Sequence, residues 1–126
     1  MLDKREVPFQ DIDTLKTMYG GDIVILLLPF QSGDTLCGLA NLIGSNLGGD
    51  FVASNSAKFA DSVLYIDCDD TTMVHEVGHV MGLGHSRRQD GNGGGTFDWS
   101  VGYGVDNLFV TVMAYAEEFG HPPERL

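Results

Sequence analysis

Apolar residues recur along this chain with two different periods. From Asp11 to Tyr19, Ile12, Leu15 and Met18/Tyr19 fall at helical spacing behind Asp11, a residue suited to cap a helix N-terminus. Gly20-Gly21 stops that helix. The next segment, Asp22 to Leu28, carries unbroken aliphatic residues from Ile23 onward, which predicts a strand buried on both faces at the centre of a parallel sheet. Pro29 ends it. Residues 31–62 are irregular and rich in Gly, Asn and Ser, with Phe51-Val52-Ala53-Ser54 the one short candidate for a sheet edge. Ser62 to Asp67 reads as a second strand. Asp69, Asp70 and Thr71 are N-cap residues for a helix from Thr71 to Leu83, which Gly82 and Gly84 terminate. Gln89 to Gly95 has no period of its own and is expected to be a flexible loop. A helix followed by an apolar strand implies layered α and β structure. With 126 residues and no repeats, the chain is expected to form one domain.

Composition narrows the function classes. Apolar residues are 43% and charged residues 20%, a globular balance. The six-residue run Ile23–Leu28 is far short of a bilayer span, and Leu2-Asp3-Lys4-Arg5-Glu6 after Met1 does not read as a signal peptide. Seven Lys plus Arg stand against 18 Asp plus Glu, a net charge of −11. Such a surface repels a phosphate backbone, so a nucleic-acid partner is not expected. Seventeen glycines point to many tight turns around a small regular frame. Cys37 and Cys68 form no Cys-x-x-Cys, which leaves one disulfide or two free thiols open.

The chemistry is concentrated in His75-Glu76-Val77-Gly78-His79-Val80-Met81-Gly82-Leu83-Gly84-His85. On a helix, His75 and His79 project from one face about 40° apart and can share one metal ion. Glu76 lies on the same side, beside the metal and out of line to ligate it. Val74, Val77 and Met81 fall opposite and are expected to anchor the helix to the core. Gly82 can take a positive φ, so the chain can turn back and bring His85 to the same metal from a loop. Three neutral imidazoles leave a fourth position for water, the layout of a catalytic Zn²⁺. A chance match to this pattern in a chain of this length is rarer than about one in ten thousand. Asp90-x-Asn92 has the start of a calcium loop without its acidic ladder and closing Glu, so Ca²⁺ there competes with a solvated turn.

The eleven residues resemble the long zinc-binding consensus of the metzincin metallopeptidases. Val112-Met113-Ala114-Tyr115, with Met113 28 residues after His85, resembles the Met-turn of that clan. The zinc helix ending in Ser86 is close to the matrixin version. Phe97 to Gly104 and Phe109 to Tyr115 look more like reprolysin-like and bacterial peptidyl-Asp-type members, although reprolysin-like members often carry an Asp where Ser86 stands.

The resemblance implies an α+β, zincin-like domain spanning 1–126 and trimmed at both ends. It would hold a twisted, mostly parallel sheet with an antiparallel edge strand, an active-site helix and a short Met-turn subdomain. It implies a monomeric, secreted zinc metalloendopeptidase in which His75, His79 and His85 hold Zn²⁺ and Glu76 is the general base and acid. Met113 would then floor the imidazoles, Tyr115 would steady the oxyanion, and Cys37 would pair with Cys68. An extended peptide or protein substrate would add to the sheet edge near Phe51–Ser54. Two other readings use the same residues: a non-catalytic zinc-stabilised binding module of a larger secreted protein, and a metal-dependent amidase.

Overall fold

The computed structural model describes residues 9–30, 33, 35–44, 56–91, 94–122 and 124–126. Helix α1 spans Ile12–Tyr19 and is led in by a 3-10 turn over Phe9–Asp11. Asp11 precedes it without a side-chain capping bond, and Gly20 closes it in the left-handed conformation. The Lys16 ammonium donates to the Ala57 carbonyl (2.7 Å), fixing α1 beside the turn that leads into the central strand.

Three strands form the main sheet in the order β1 (Val24–Leu28), β3 (Asp61–Tyr65), β2 (Gly38–Ala40). β1 runs parallel to β3, with Val24 opposite Asp61 and Leu28 opposite Tyr65; β2 is antiparallel to β3, with Leu39 opposite Val63. The central strand is therefore β3, and β1 borders only β3 among the described residues. This corrects the expectation for β1: Leu27 is exposed and the rest of the strand is only half-buried. An unbroken aliphatic run records how much apolar surface a strand carries, but not which neighbour covers it. Phe51–Ser54 lies outside the described residues.

Helix α2 spans Thr72–Val80 and packs across β2 and β3. Thr71 stands at the N-cap position without a side-chain capping bond, and the Asp69 carboxylate accepts from the Thr71 N–H (2.7 Å) and hydroxyl, closing the turn that leads into the helix. The buried side of α2 differs from the expected one. Glu76, Gly78, His79 and Val80 face inward, whereas Val74 and Met81 are exposed. Val80 packs with Ile43 and Ala60 in one apolar cluster, so the imidazole face and the core face nearly coincide. A second cluster, Val110, Ala114 and Phe119, sits in the C-terminal part. There a small sheet orders β4 (Gly104–Val105), β5 (Phe109–Val110) and β6 (Glu124–Arg125), with β5 and β6 parallel.

A helical turn, α3, spans Arg87–Asp90 and takes in Gln89 and Asp90, the first two residues of the expected loop. Four residues are too few to show a hydrophobic period, and tertiary contacts form the turn. Arg87 donates to the Asp98 carbonyl, while Arg88 pairs with Asp106 and lies 4.2 Å over the Phe119 ring. Cys37 and Cys68 are joined in a disulfide with a sequence separation of 31, tying the start of β2 to the approach to α2. Closing a loop of that size contributes about 3–4 kcal/mol on the chain-entropy view.

Candidate metal centre

His75 and His79 stand one turn apart on α2 and face the same side. After Val80 the helix ends in a tight reversal: the Leu83 N–H donates to the Gly78 carbonyl and the Gly82 N–H to the His79 carbonyl, both at 2.9 Å. Gly82 takes a φ of +86°, a conformation that costs an L side chain about 1–2 kcal/mol. The reversal delivers His85 to the two helical imidazoles, as the glycine predicts.

Each ring is held at its Nδ1. His75 donates to the Val112 carbonyl (2.8 Å), His79 to the Leu83 carbonyl (2.8 Å), and His85 to the Asp90 carboxylate (3.0 Å). With Nδ1 carrying the proton, each Nε2 presents a lone pair. These lone pairs converge: His85 Nε2 lies 3.2 Å from that of His75 and 3.1 Å from that of His79. Three acceptors this close repel one another unless a cation lies between them. The spacing suits nitrogens bound at about 2.0–2.1 Å to one tetrahedral ion. Among the described residues these three histidines are the group whose ligand atoms come within 4.8 Å of one another. Burial holds His79 neutral, with its pKa lowered to about 4, which also suits a metal ligand.

Glu76 is 6% exposed and is not part of that ligand group. Burial raises its carboxyl to about 7. It lies against Gly38 of β2, where a Cβ would come within 2.6 Å of the Glu76 side chain. Met113 is buried, and its sulfur packs onto Gly78, between the two helical histidines, where a Cβ would collide with it. The Tyr115 ring is half-exposed and sits 5.7 Å from the His75 ring and 4.9 Å from the His85 ring, centre to centre.

Two cavities open at the cluster. One, of about 370 Å³, lies between Thr71, Thr72 and His75 of the helix end and Val112, Tyr115 and Glu117. The other, of about 340 Å³, runs from β2 across the three imidazoles to Asp90 and Tyr115. Sequence reading therefore locates the three imidazoles, Glu76, Met113 and Tyr115, and the fold brings all six together. It misses the two backbone carbonyls that orient His75 and His79, which leave no trace in side-chain identity. It also misses Gly38 and Gly78, whose only signal is an absent Cβ. Asp90 was legible as a carboxylate but read as part of a turn; Asn92 lies outside the described residues.

A three-histidine group able to hold a metal ion, on a mixed α+β frame, is compatible with a zincin-like fold. The family model for metallo-peptidase family M12, of the reprolysin group, matches residues 3–122, and the chain belongs to that family. The peptidyl-Asp metalloendopeptidase of Pseudomonas aeruginosa is 35% identical over 121 residues, covering 86% of this chain. This chain spans 20% of that relative's length. No solved structure matches. The disulfide fits an extracellular protein, and among the described residues no helix is long and apolar enough to cross a membrane.

Proposed function

We propose that residues 1–126 form the catalytic domain of a secreted zinc metalloendopeptidase. The observation that carries this reading is the convergence of three Nε2 lone pairs beside a buried carboxylate. His75, His79 and His85 would hold the ion, which when bound supplies an acidic water and polarises a carbonyl. Glu76 accepts the proton of the attacking water and hands it to the leaving amine. The Tyr115 hydroxyl donates to the oxygen on which negative charge develops. Met113, as the Met-turn residue, supports the imidazoles through Gly78 without binding the metal.

The substrate lies extended along β2, whose Gly38, Leu39 and Ala40 border the cavity that holds all three imidazoles. That edge takes the part that Phe51–Ser54 plays in the sequence-based expectation. The relative's name specifies a peptidyl-Asp bond. Among the described residues, those lining the two cavities include Glu76, Glu117 and Asp90 and neither Lys nor Arg, so that preference is not carried over.

The test is peptide-library cleavage by the purified 126-residue chain with its metal content measured alongside. Cleavage abolished by a chelator and restored by zinc is expected. Stoichiometric zinc without hydrolysis of any peptide would favour the binding-module reading instead.

A further inference from the structure

The three imidazoles are oriented by unlike partners. His75 and His79 donate to neutral backbone carbonyls, whereas His85 donates to a carboxylate, Asp90 Oδ2, at 3.0 Å. We propose that Asp90 is a positioning residue of the metal centre: its carboxylate fixes the tautomer and orientation of His85 and strengthens it as a metal ligand. The inference rests on the reading that the three histidines bind zinc.

The geometry around Asp90 explains why this carboxylate is available. Ser86 follows His85 with its side chain buried and its backbone extended. The chain then makes one helical turn, in which the N–H groups of Gln89 and Asp90 both return to the Ser86 carbonyl at 3.1 Å. That turn carries residue 90 back beside residue 85. Arginines on the turn secure it from outside, Arg88 reaching both Asp106 and the Glu118 carbonyl and Arg87 reaching the Asp98 carbonyl. The carboxylate is therefore aimed by α3 itself and does not wander with a loop. A carboxylate behind a ligating imidazole raises ligand basicity, and removing such a partner commonly costs 10–100-fold in metal affinity. His85 needs this more than the other two, because it comes from outside α2 and has no helix to set its ring.

The experiment compares the parent chain with Asp90→Asn and Asp90→Ala. Zinc affinity is read by chelator competition, metal-free melting temperature by calorimetry, and the imidazole Nδ1–H signals of the zinc-loaded protein by NMR. The expected order of affinity is Asp, then Asn, then Ala, with Ala weaker by about 10–100-fold. The metal-free melting temperatures should stay close together. In Asp90→Ala the His85 Nδ1–H signal should be lost to exchange while those of His75 and His79 persist. Equal zinc affinity in parent and Asp90→Ala, or an unchanged His85 signal, overturns the role of Asp90 and leaves the metal centre standing. Failure of the parent to bind stoichiometric zinc overturns the centre and this inference together.

Discussion

Two stretches meet at the same imidazoles and are built by opposite means. From Thr72 to Asp90 the backbone is shaped mostly by local bonds: a helix, a reversal closed between Gly78 and Leu83, and a single turn returning Asp90 to Ser86, which Arg87 and Arg88 anchor to distant partners. From Gly94 to Leu126 the regular pieces are two to four residues long, and distant partners hold them. The Thr96 N–H reaches the Gly82 carbonyl, the Gly102 N–H reaches Gly84, and the Val112 N–H reaches Leu126. The first stretch supplies the ligands and Glu76. The second supplies the carbonyl that orients His75, the sulfur packed against Gly78, and the Tyr115 ring. The imidazoles are thus delivered locally, while the orientation of His75 and the packing beneath Gly78 depend on chain segments far away.

Substitutions in each stretch should therefore fail differently. The largest effect is expected in the local stretch. Glu76→Gln should keep stoichiometric zinc, because the three imidazoles are untouched, and lower peptide hydrolysis by about 10²–10⁴-fold. Parental turnover in that variant would remove Glu76 from the chemistry. Next comes Tyr115→Phe in the distal stretch. Losing one hydroxyl should reduce kcat by about ten- to a thousandfold with zinc content and melting temperature unchanged. An unaltered kcat would make Tyr115 a packing aromatic.

In the metal-free protein, Glu76 and His79 should give opposite pH dependences of stability. Glu76 has a raised folded-state pKa, about 7 against 4.5, so the folded chain keeps its proton where the unfolded chain has lost it. Its contribution to stability is full below pH 4.5 and declines as pH rises toward 7. His79 has the opposite sign: its pKa is lowered from 6.5 to about 4, so its contribution is full above pH 6.5 and declines as pH falls toward 4. Comparing parent with Glu76→Gln isolates the first effect. The stability of the variant relative to the parent should climb between pH 4.5 and 7, by something on the order of 1–3 kcal/mol. A difference that stays flat across that window would show Glu76 to be better solvated than its burial implies.

The contact between the two stretches is tested by Gly78→Ala, whose new methyl meets the Met113 sulfur. About 1–2 kcal/mol of destabilisation is expected in thermal unfolding, and a shorter side chain at 113 should relieve it. Met113→Leu should have the smallest effect. It keeps the volume, so it should cost under about 1.5 kcal/mol and leave much of the activity. A large loss of zinc affinity in that variant would mean that the sulfur does more than fill space.

The same contrast separates what was legible in the residues from what was not. The convergence of the three imidazoles was legible in the residues, because helical spacing puts His75 and His79 on one face and a glycine at 82 permits the reversal that returns His85. So were the places of Glu76 beside them and of Gly20 at the end of α1. Packing between elements set which of the described strands is central, since the aliphatic run of β1 is indifferent to its neighbours and β3 took that position. It turned α2 so that His79 and Val80 are buried and Val74 and Met81 are not. It also brought the Val112 carbonyl to His75 across 37 residues of chain, whereas Leu83 and Asp90 reach their rings through local turns. Spacing along a chain fixes angles within one element, because backbone geometry is the same everywhere. Which distant carbonyl or carboxylate arrives at a ring depends on how separate elements pack, and no local pattern encodes that.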